Sequence, residues 1–375
     1  MQSPTQARID LGALRRNLAR VRERSGERRV IGVVKADAYG HGAVVVGRAL
    51  AEAGCGALAV ATTAEAQALR AAGIAAPLFL LQGLRLPEDA DRVLALRAVP
   101  FVSSLEALPL LEAAARRAGR PLSIQLKLDT GMSRLGLLPQ ELEAGLEILR
   151  RSRDLQLEGV CSHLADADDP DSPTLAAQRS LFSGLVSRVF EAGFRPEWIH
   201  LDNSAGILSG PSPGTTAVRP GIVLYGPDPT RRGSTEFEPV MTLVTRVTRA
   251  KLVPPGTRVG YGGTYTAPAE IWLLTLPIGY ADGLPRAAGP RFEVGLDGRR
   301  LPLAGRVSMD LAAVAAGPPG ALESPKEALG REVLIFGRSP ELVIPVDELA
   351  EAAGTIAYEI LTGIGPRVER IVVES

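Results

Sequence analysis

Val30-Ile31-Gly32-Val33-Val34-Lys35-Ala36-Asp37-Ala38-Tyr39-Gly40-His41-Gly42 sets an apolar, β-branched run against one lysine and a turn of small residues. Such a run reads as a buried strand, with the lysine held at its end. Lysine is scarce in this chain. Lys35, Lys127, Lys251 and Lys326 stand among 42 basic residues, and the rest are arginine. Arginine cannot lose its proton in a protein. Lysine can, and a neutral amine condenses with an aldehyde to a Schiff base. A lysine kept where arginine cannot serve is a candidate for that chemistry. The bland alternative is a strand-end lysine that only reaches solvent.

Outward from Lys35 the same pattern repeats. Apolar runs at 30–34, 57–61, 78–81, 99–102, 124–128, 157–163, 198–201 and 216–219 alternate with longer amphipathic stretches. Residues 105–118 and 139–151 carry Leu, Ala, Glu and Arg at helical spacing. Thr63 with Glu65 in a first turn and Gly73 just past the end frames another helix. Strand then helix, eight times over ~250 residues, is the pattern of a (β/α)8 TIM barrel. A leading helix at 11–24 is expected to plug its bottom. After Gly226 the texture changes. Residues 228–234 read as a linker, and short strands follow at 241–252, 271–278, 292–296, 300–303 and 332–336, with one helix at 346–353. The fold class is α/β: an N-terminal barrel over 1–228 and a mainly-β domain over 229–375.

The 375 residues carry no formal net charge, and 46% are apolar. No basic block is long enough to suggest a nucleic-acid surface. The most apolar stretch, 71–84, is short and broken by Pro77, so no membrane span is expected. Cys55 and Cys161 are too few for a disulfide framework, and three histidines argue against a metal site. The first residues carry Asp10 and several arginines rather than an apolar signal core. The expectation is a cytoplasmic protein without nucleic-acid or membrane partners.

In such a barrel, chemistry collects at the C-terminal ends of the strands. Lys35 ends the first. Arg134 follows the fifth, His163 ends the sixth, Asn203-Ser204 end the seventh and Arg219 ends the eighth. Asn203-Ser204-Ala205-Gly206 and Gly221-Ile222 look like helix starts with amides and a hydroxyl free. Barrels bind phosphate there, though two ordinary N-caps would look alike. A lysine fit for a Schiff base beside an anion site and two arginines suits a cofactor with both aldehyde and phosphate, namely pyridoxal 5′-phosphate.

These motifs resemble those of the alanine racemase family, and the resemblance runs essentially end to end. It rests on the Lys35–Tyr39 segment, on Asp129-Thr130-Gly131-Met132-Ser133-Arg134-Leu135-Gly136, and on Arg219-Pro220-Gly221-Ile222-Val223-Leu224-Tyr225-Gly226. In the second half, Tyr261-Gly262-Gly263-Thr264-Tyr265, Pro277-Ile278-Gly279-Tyr280-Ala281-Asp282-Gly283 and Gly305-Arg306-Val307-Ser308-Met309-Asp310 match in order and spacing.

The resemblance implies a homodimer that interconverts L-alanine and D-alanine and supplies D-alanine for peptidoglycan. It implies that Lys35 holds the cofactor and is one acid/base. Tyr261 of the other subunit is the opposite base, with His163 beside Arg219 tuning it. Arg219 faces the ring nitrogen. Tyr39, Asn203, Ser204, Gly221 and Ile222 belong to the phosphate and cofactor cradle. Arg134 and the backbone N–H of Met309 meet the substrate carboxylate. Tyr280 and Asp310 line the entrance, and Lys127 matches a lysine carbamylated in some members. Two positions depart from the pattern. No tyrosine stands within Leu361-Thr362-Gly363-Ile364-Gly365-Pro366-Arg367, the region where some members bring one to the phosphate. Ser308 stands where cysteine is frequent.

Arg219 carries the reaction class. A guanidinium only donates, so a ring nitrogen facing it must accept and stays unprotonated. That weakens the electron sink and favours quick reprotonation over transamination. The alternatives are an amino-acid decarboxylase of the same architecture, which would place a carboxylate there, a non-catalytic cofactor carrier, and a cofactor-free phosphate-binding lyase.

Overall fold

The computed structural model describes residues 3–169, 171–230, 236–321 and 324–375. Strand β1 (Gln6–Asp10) leads into helix Leu11–Ser25, whose cap is Asp10: its carboxylate accepts from the Ala13 N–H.

Eight parallel strands then close a barrel: β2 (Arg29–Val33), β3 (Ala57–Val60), β4 (Leu78–Leu80), β5 (Val99–Val102), β6 (Leu122–Lys127), β7 (Leu155–Cys161), β8 (Trp198–His200) and β9 (Ala217–Val218). Closure comes from β9 beside β2, pairing Arg29 with Ala217 and Val30 with Val218. Each of the eight expected runs overlaps one of these strands. β3, β4 and β8 are buried along their whole length. Strands covered on both faces need continuous apolar runs, and this is why they were legible.

Helices wrap the barrel. Helix Thr63–Ala71 matches its expected frame, with Thr63 and Glu65 in the first turn and Gly73 just past the end. Thr62 is the cap, and its hydroxyl and the Glu65 carboxylate exchange bonds with each other's backbone. The leading helix does not plug the bottom. Leu11–Ser25 packs against helix Ala43–Glu52, which follows the first barrel strand, and helix Ser204–Leu208, which follows the seventh. Only a short 3-10 turn, Ile222–Tyr225, follows β9. The leading helix therefore takes the place of an eighth outer helix.

The second half is built of β10 (Met241–Arg246), β11 (Arg249–Val253), β12 (Arg258–Val259), β13 (Tyr265–Thr266), β14 (Ile271–Leu276), β15 (Glu293–Leu296), β16 (Arg299–Pro302), β17 (Ala312–Ala315), β18 (Glu332–Arg338), β19 (Val343–Ile344) and β20 (Glu369–Val373). One sheet runs β16-β15-β18-β10-β1-β20, with β19 on β18; another runs β11-β14-β17. The single strand expected at 241–252 is two. Val247 donates to the Arg331 carbonyl of one sheet edge and Thr248 to the Thr275 carbonyl of the other sheet, so the chain changes sheets between them. A second helix, Ala357–Gly363, follows the expected one at Val346–Ala353.

The expected boundary at 228 follows the change of texture, but β1 crosses it, pairing antiparallel with β10 and parallel with β20. Of the expected linker, residues 231–234 lie outside the described residues. One hydrophobic core runs from the barrel into the second half. A smaller cluster of Val253, Val259, Ala267, Ile271, Leu273, Ala304 and Ala315 packs apart from it.

Candidate active site

After β2 the backbone does something unusual for L-residues. Ala36, Asp37, Ala38 and Tyr39 all have φ between 52° and 55°, forming a left-handed turn. Left-handed helix costs roughly 1–2 kcal/mol per non-glycine residue, so these four store about 4–8 kcal/mol. Several bonds offset it. Ala38 donates to the Val34 carbonyl at 3.0 Å and Gly42 to the Asp37 carbonyl at 2.9 Å. The Asp37 carboxylate accepts from Ala43 N–H at 2.7 Å, and that of Glu65 from Ala36 N–H at 2.8 Å. His41 Nδ1 meets the carbonyls of Ala38 and Tyr39 at 3.0 and 2.9 Å.

Lys35 opens this turn. Burial lowers its pKa first, and Arg134 and Arg219 lower it further; Glu65 opposes them. Lys127 ends β6, is buried, and is likewise lowered by burial and by Arg219, Arg134 and Lys35. Four cationic side chains thus converge on one mouth. Arg134 is exposed on the loop after β6, where the Asp129 carboxylate binds three successive N–H groups, those of Gly131, Met132 and Ser133.

Arg219 is fully enclosed. Its Nη1 donates to His200 Nδ1 and, at 3.0 Å, to the His200 carbonyl. Its Nη2 donates to the carbonyls of Ser162 at 2.6 Å and Leu201 at 2.9 Å, with His163 Nδ1 at 3.3 Å. No carboxylate among the described residues bonds to it. The Asp202 carboxylate is engaged instead by the N–H and hydroxyl of Ser212. Burial and Arg219 hold His163 and His200 well below the usual imidazole range, so both are neutral. His200 and its partner Gln125, with Nε2 and Oε1 at 2.6 Å, were not among the expected site residues. Nothing in the sequence pairs a mid-strand Gln125 with His200.

The loops that start at Asn203 and at Gly221 meet, and their polar groups have partners of their own. Ser204 Oγ accepts from Gly221 N–H at 2.9 Å, so that amide is engaged. Asn203 caps helix Ser204–Leu208 through its side chain, accepting from Gly206 N–H at 3.0 Å. The hydroxyl hydrogen of Ser204 remains to donate. Gly221 is required by close approach: a Cβ there would lie 2.4 Å from the Tyr39 hydroxyl. Ile222 is buried at the start of the 3-10 turn. Tyr39 packs between Tyr225, at 4.9 Å between ring centroids, and Tyr358, at 6.0 Å. Tyr358 was not anticipated and is the C-terminal aromatic residue beside Tyr39.

The remaining expected residues lie elsewhere. Tyr261, Tyr280 and Met309 are 66%, 43% and 53% exposed. Asp310, also exposed, pairs with Arg367 at 2.9 Å. Among the described residues no bond or electrostatic interaction joins them to Lys35. No cluster of three His, Cys, Asp or Glu there is arranged to hold a metal ion, and no helix is long and apolar enough to cross a membrane.

A strand-end lysine and a caged arginine thus share one mouth of a barrel that is followed by a β domain. The model of the alanine racemase N-terminal domain matches residues 9–229, and that of its C-terminal domain matches residues 240–372. A relative from Desulforamulus reducens, an alanine racemase, is 38% identical over 376 residues, covering 99% of each chain. The structure of an alanine racemase from Streptomyces lavendulae superposes with a TM-score of 0.93 at 35% identity, covering 100% of this chain and 98% of that one. That of Bartonella henselae, with covalently bound pyridoxal phosphate, gives 0.87 at 28% identity, covering 98% and 99%. The chain belongs to the alanine racemase family and is a pyridoxal-phosphate-dependent isomerase acting on alanine.

Proposed function

We propose that Lys35 and the Tyr261 of a partner subunit are the two acid/base groups, on opposite faces of the substrate's Cα. The observation that carries this is the Lys35 amine beside Arg134 and Arg219, its pKa lowered by burial and by their charge. A neutral amine takes a proton, and its conjugate acid returns one. The residues fit the cofactor: cations gather without contacting carboxylates, and Gly221, Ser204 and Tyr39 leave an anion cradle at the loop ends. Bound pyridoxal phosphate supplies an aldehyde for the amine and a ring that withdraws electron density from Cα. Ile222 joins that cradle, and Asn203 supports it from its cap.

Both Nη atoms of Arg219 are used within the chain, and its Nε–H is the donor left toward the ring nitrogen. A donor there keeps that nitrogen unprotonated and disfavours transamination and the decarboxylase alternative. His163, beside Arg219, tunes the partner's base. Arg134 and the Met309 N–H of the partner subunit orient the substrate carboxylate. Tyr280 and Asp310 border the entrance. A carbamate on Lys127 would add the negative charge that the cation cluster lacks.

This reading includes a head-to-tail homodimer, because Tyr261, Tyr280 and Met309 face outward in the single chain. It also includes a cytoplasmic protein with no nucleic-acid or membrane partner, supplying D-alanine for peptidoglycan. Mixing inactive Lys35→Ala and Tyr261→Phe protomers is the test. Shared sites give heterodimers with one intact site, and activity returns on subunit exchange. Verified heterodimers as inactive as their parents would remove the shared-site claim.

A further inference from the structure

The left-handed turn carries both Lys35 and Tyr39, and its backbone bonds to Val34 and Gly42 are joined by side-chain bonds. Four of its residues sit in a region that L-residues avoid. The Glu65 carboxylate holds the Ala36 N–H, and the Asp37 carboxylate, within the turn, holds the Ala43 N–H beyond it. The Ala38 carbonyl accepts from the His41 backbone N–H at 3.2 Å, and one side chain reaches both it and the Tyr39 carbonyl. His41 Nδ1 lies 3.0 Å from the Ala38 carbonyl and 2.9 Å from that of Tyr39. Both groups facing Nδ1 accept, so Nδ1 carries the proton. His41 is 0% exposed, its ring lies 4.6 Å from that of Tyr225, and its Nε2 has no hydrogen-bond partner. A histidine kept wholly buried with one nitrogen unmatched serves through the other nitrogen. Arg370, from β20, adds a bond from Nε to the Gly40 carbonyl at 3.2 Å.

We propose that His41 is a positioning residue: its Nδ1–H clamps the Ala38 and Tyr39 carbonyls and so fixes the turn that aims Lys35 and the Tyr39 hydroxyl at the cofactor. It touches neither substrate nor cofactor. Tyr39 reaches Gly221 only because its backbone is held in this hand, and Lys35 is one residue from the first left-handed position. Burial lowers the His41 pKa to about 4, so the clamp keeps one tautomer through the neutral range. The inference rests on Lys35 as the residue that holds the cofactor.

The test compares His41→Phe with His41→Asn. Phenylalanine keeps the ring against Tyr225 and removes the donor. Asparagine restores an N–H near the position of Nδ1. The readout is the rate at which the holoenzyme releases pyridoxal phosphate to an external amine, followed by absorbance, alongside the thermal midpoint. His41→Phe is expected to release it about 10–30-fold faster, as the loss of one to two net hydrogen bonds implies. His41→Asn is expected to restore most of the retention. Equal retention in His41→Phe and the parent overturns the clamp, as does equal loss in both variants.

Hydrogen exchange across 36–42 in the full-length parent stripped of cofactor keeps the question open to test if His41→Phe does not fold. Slow exchange supports a clamp that precedes cofactor binding; loop-like exchange overturns it. Reduction with borohydride and peptide mapping separates the two readings. Label away from Lys35 removes the site assignment and the clamp with it. Label on Lys35 leaves the clamp to stand or fall on release.

Discussion

His200 accepts from Arg219 through Nδ1, which fixes the imidazole proton on Nε2, where Gln125 Oε1 receives it at 2.6 Å. A neutral histidine thereby orients a cation without competing with it. Gln125→Glu should spoil this. A carboxylate facing Nε2–H favours the doubly protonated ring, and Nδ1 then turns a donor on Arg219. Turnover should fall about 10–100-fold, the loss of one charge-assisted bond, with circular dichroism unchanged. Steady-state rates at the parent level would show that the tautomer is set by something else.

Arg219→Glu tests the ring-nitrogen argument directly. An ionised carboxylate in that place would accept a hydrogen bond from a protonated ring nitrogen, and so would favour the stronger electron sink. Racemisation should drop by several orders of magnitude, and the share of turnovers ending in transamination should rise. The partition is measured as pyruvate formed per alanine racemised. A variant with near-parental racemisation defeats the tuning argument.

Gly221→Ala introduces a Cβ 2.4 Å from the Tyr39 hydroxyl and 3.2 Å from its Cζ. Tyr39 is buried between Tyr225 and Tyr358 and has nowhere to retreat. The single variant should lose stability by about 1–3 kcal/mol, the usual cost of overpacking, and bind cofactor more weakly. Adding Tyr39→Phe removes the closest atom and should recover stability without recovering affinity. Additive stability changes in a double-mutant cycle would mean that the two residues do not meet.

Acid should destabilise the native state before the carboxylates titrate. Burial lowers His41 from 6.5 to about 4, and His163 and His200 go well below 6.5. Between pH 6.5 and 4 the unfolded chain binds protons that the native chain refuses. Stability therefore falls as pH falls through that window. His41 alone contributes on the order of 3 kcal/mol of loss by pH 4. Urea midpoints from pH 7 to pH 4.5 measure it, and His41→Asn should give a shallower decline. A flat profile in the parent would contradict the buried, neutral histidines.

The sequence by itself determined the barrel, because strands such as β3, β4 and β8 are buried on both faces and read as continuous apolar runs at a regular spacing. It determined the family through collinear motifs, and it marked candidate site residues for a related reason. Lys35, His163 and Arg219 stand at the ends of such runs, Arg134 stands on the loop after one, and Ser204 opens the helix just after another. Tertiary structure decided what local pattern cannot carry. Gln125 and His200 are 75 residues apart, and Arg370 reaches Gly40 across 330. β1 joins the second sheet through partners near residues 241 and 369, and the leading helix closes the ring instead of plugging the bottom. The left-handed hand of residues 36–39 has no signature in Ala36-Asp37-Ala38-Tyr39, since the two alanines and the tyrosine prefer other conformations. It is held by bonds that the folded segment makes around it, from Val34, His41, Gly42 and Ala43 nearby and from Glu65 at a distance, and these outweigh the local backbone preference.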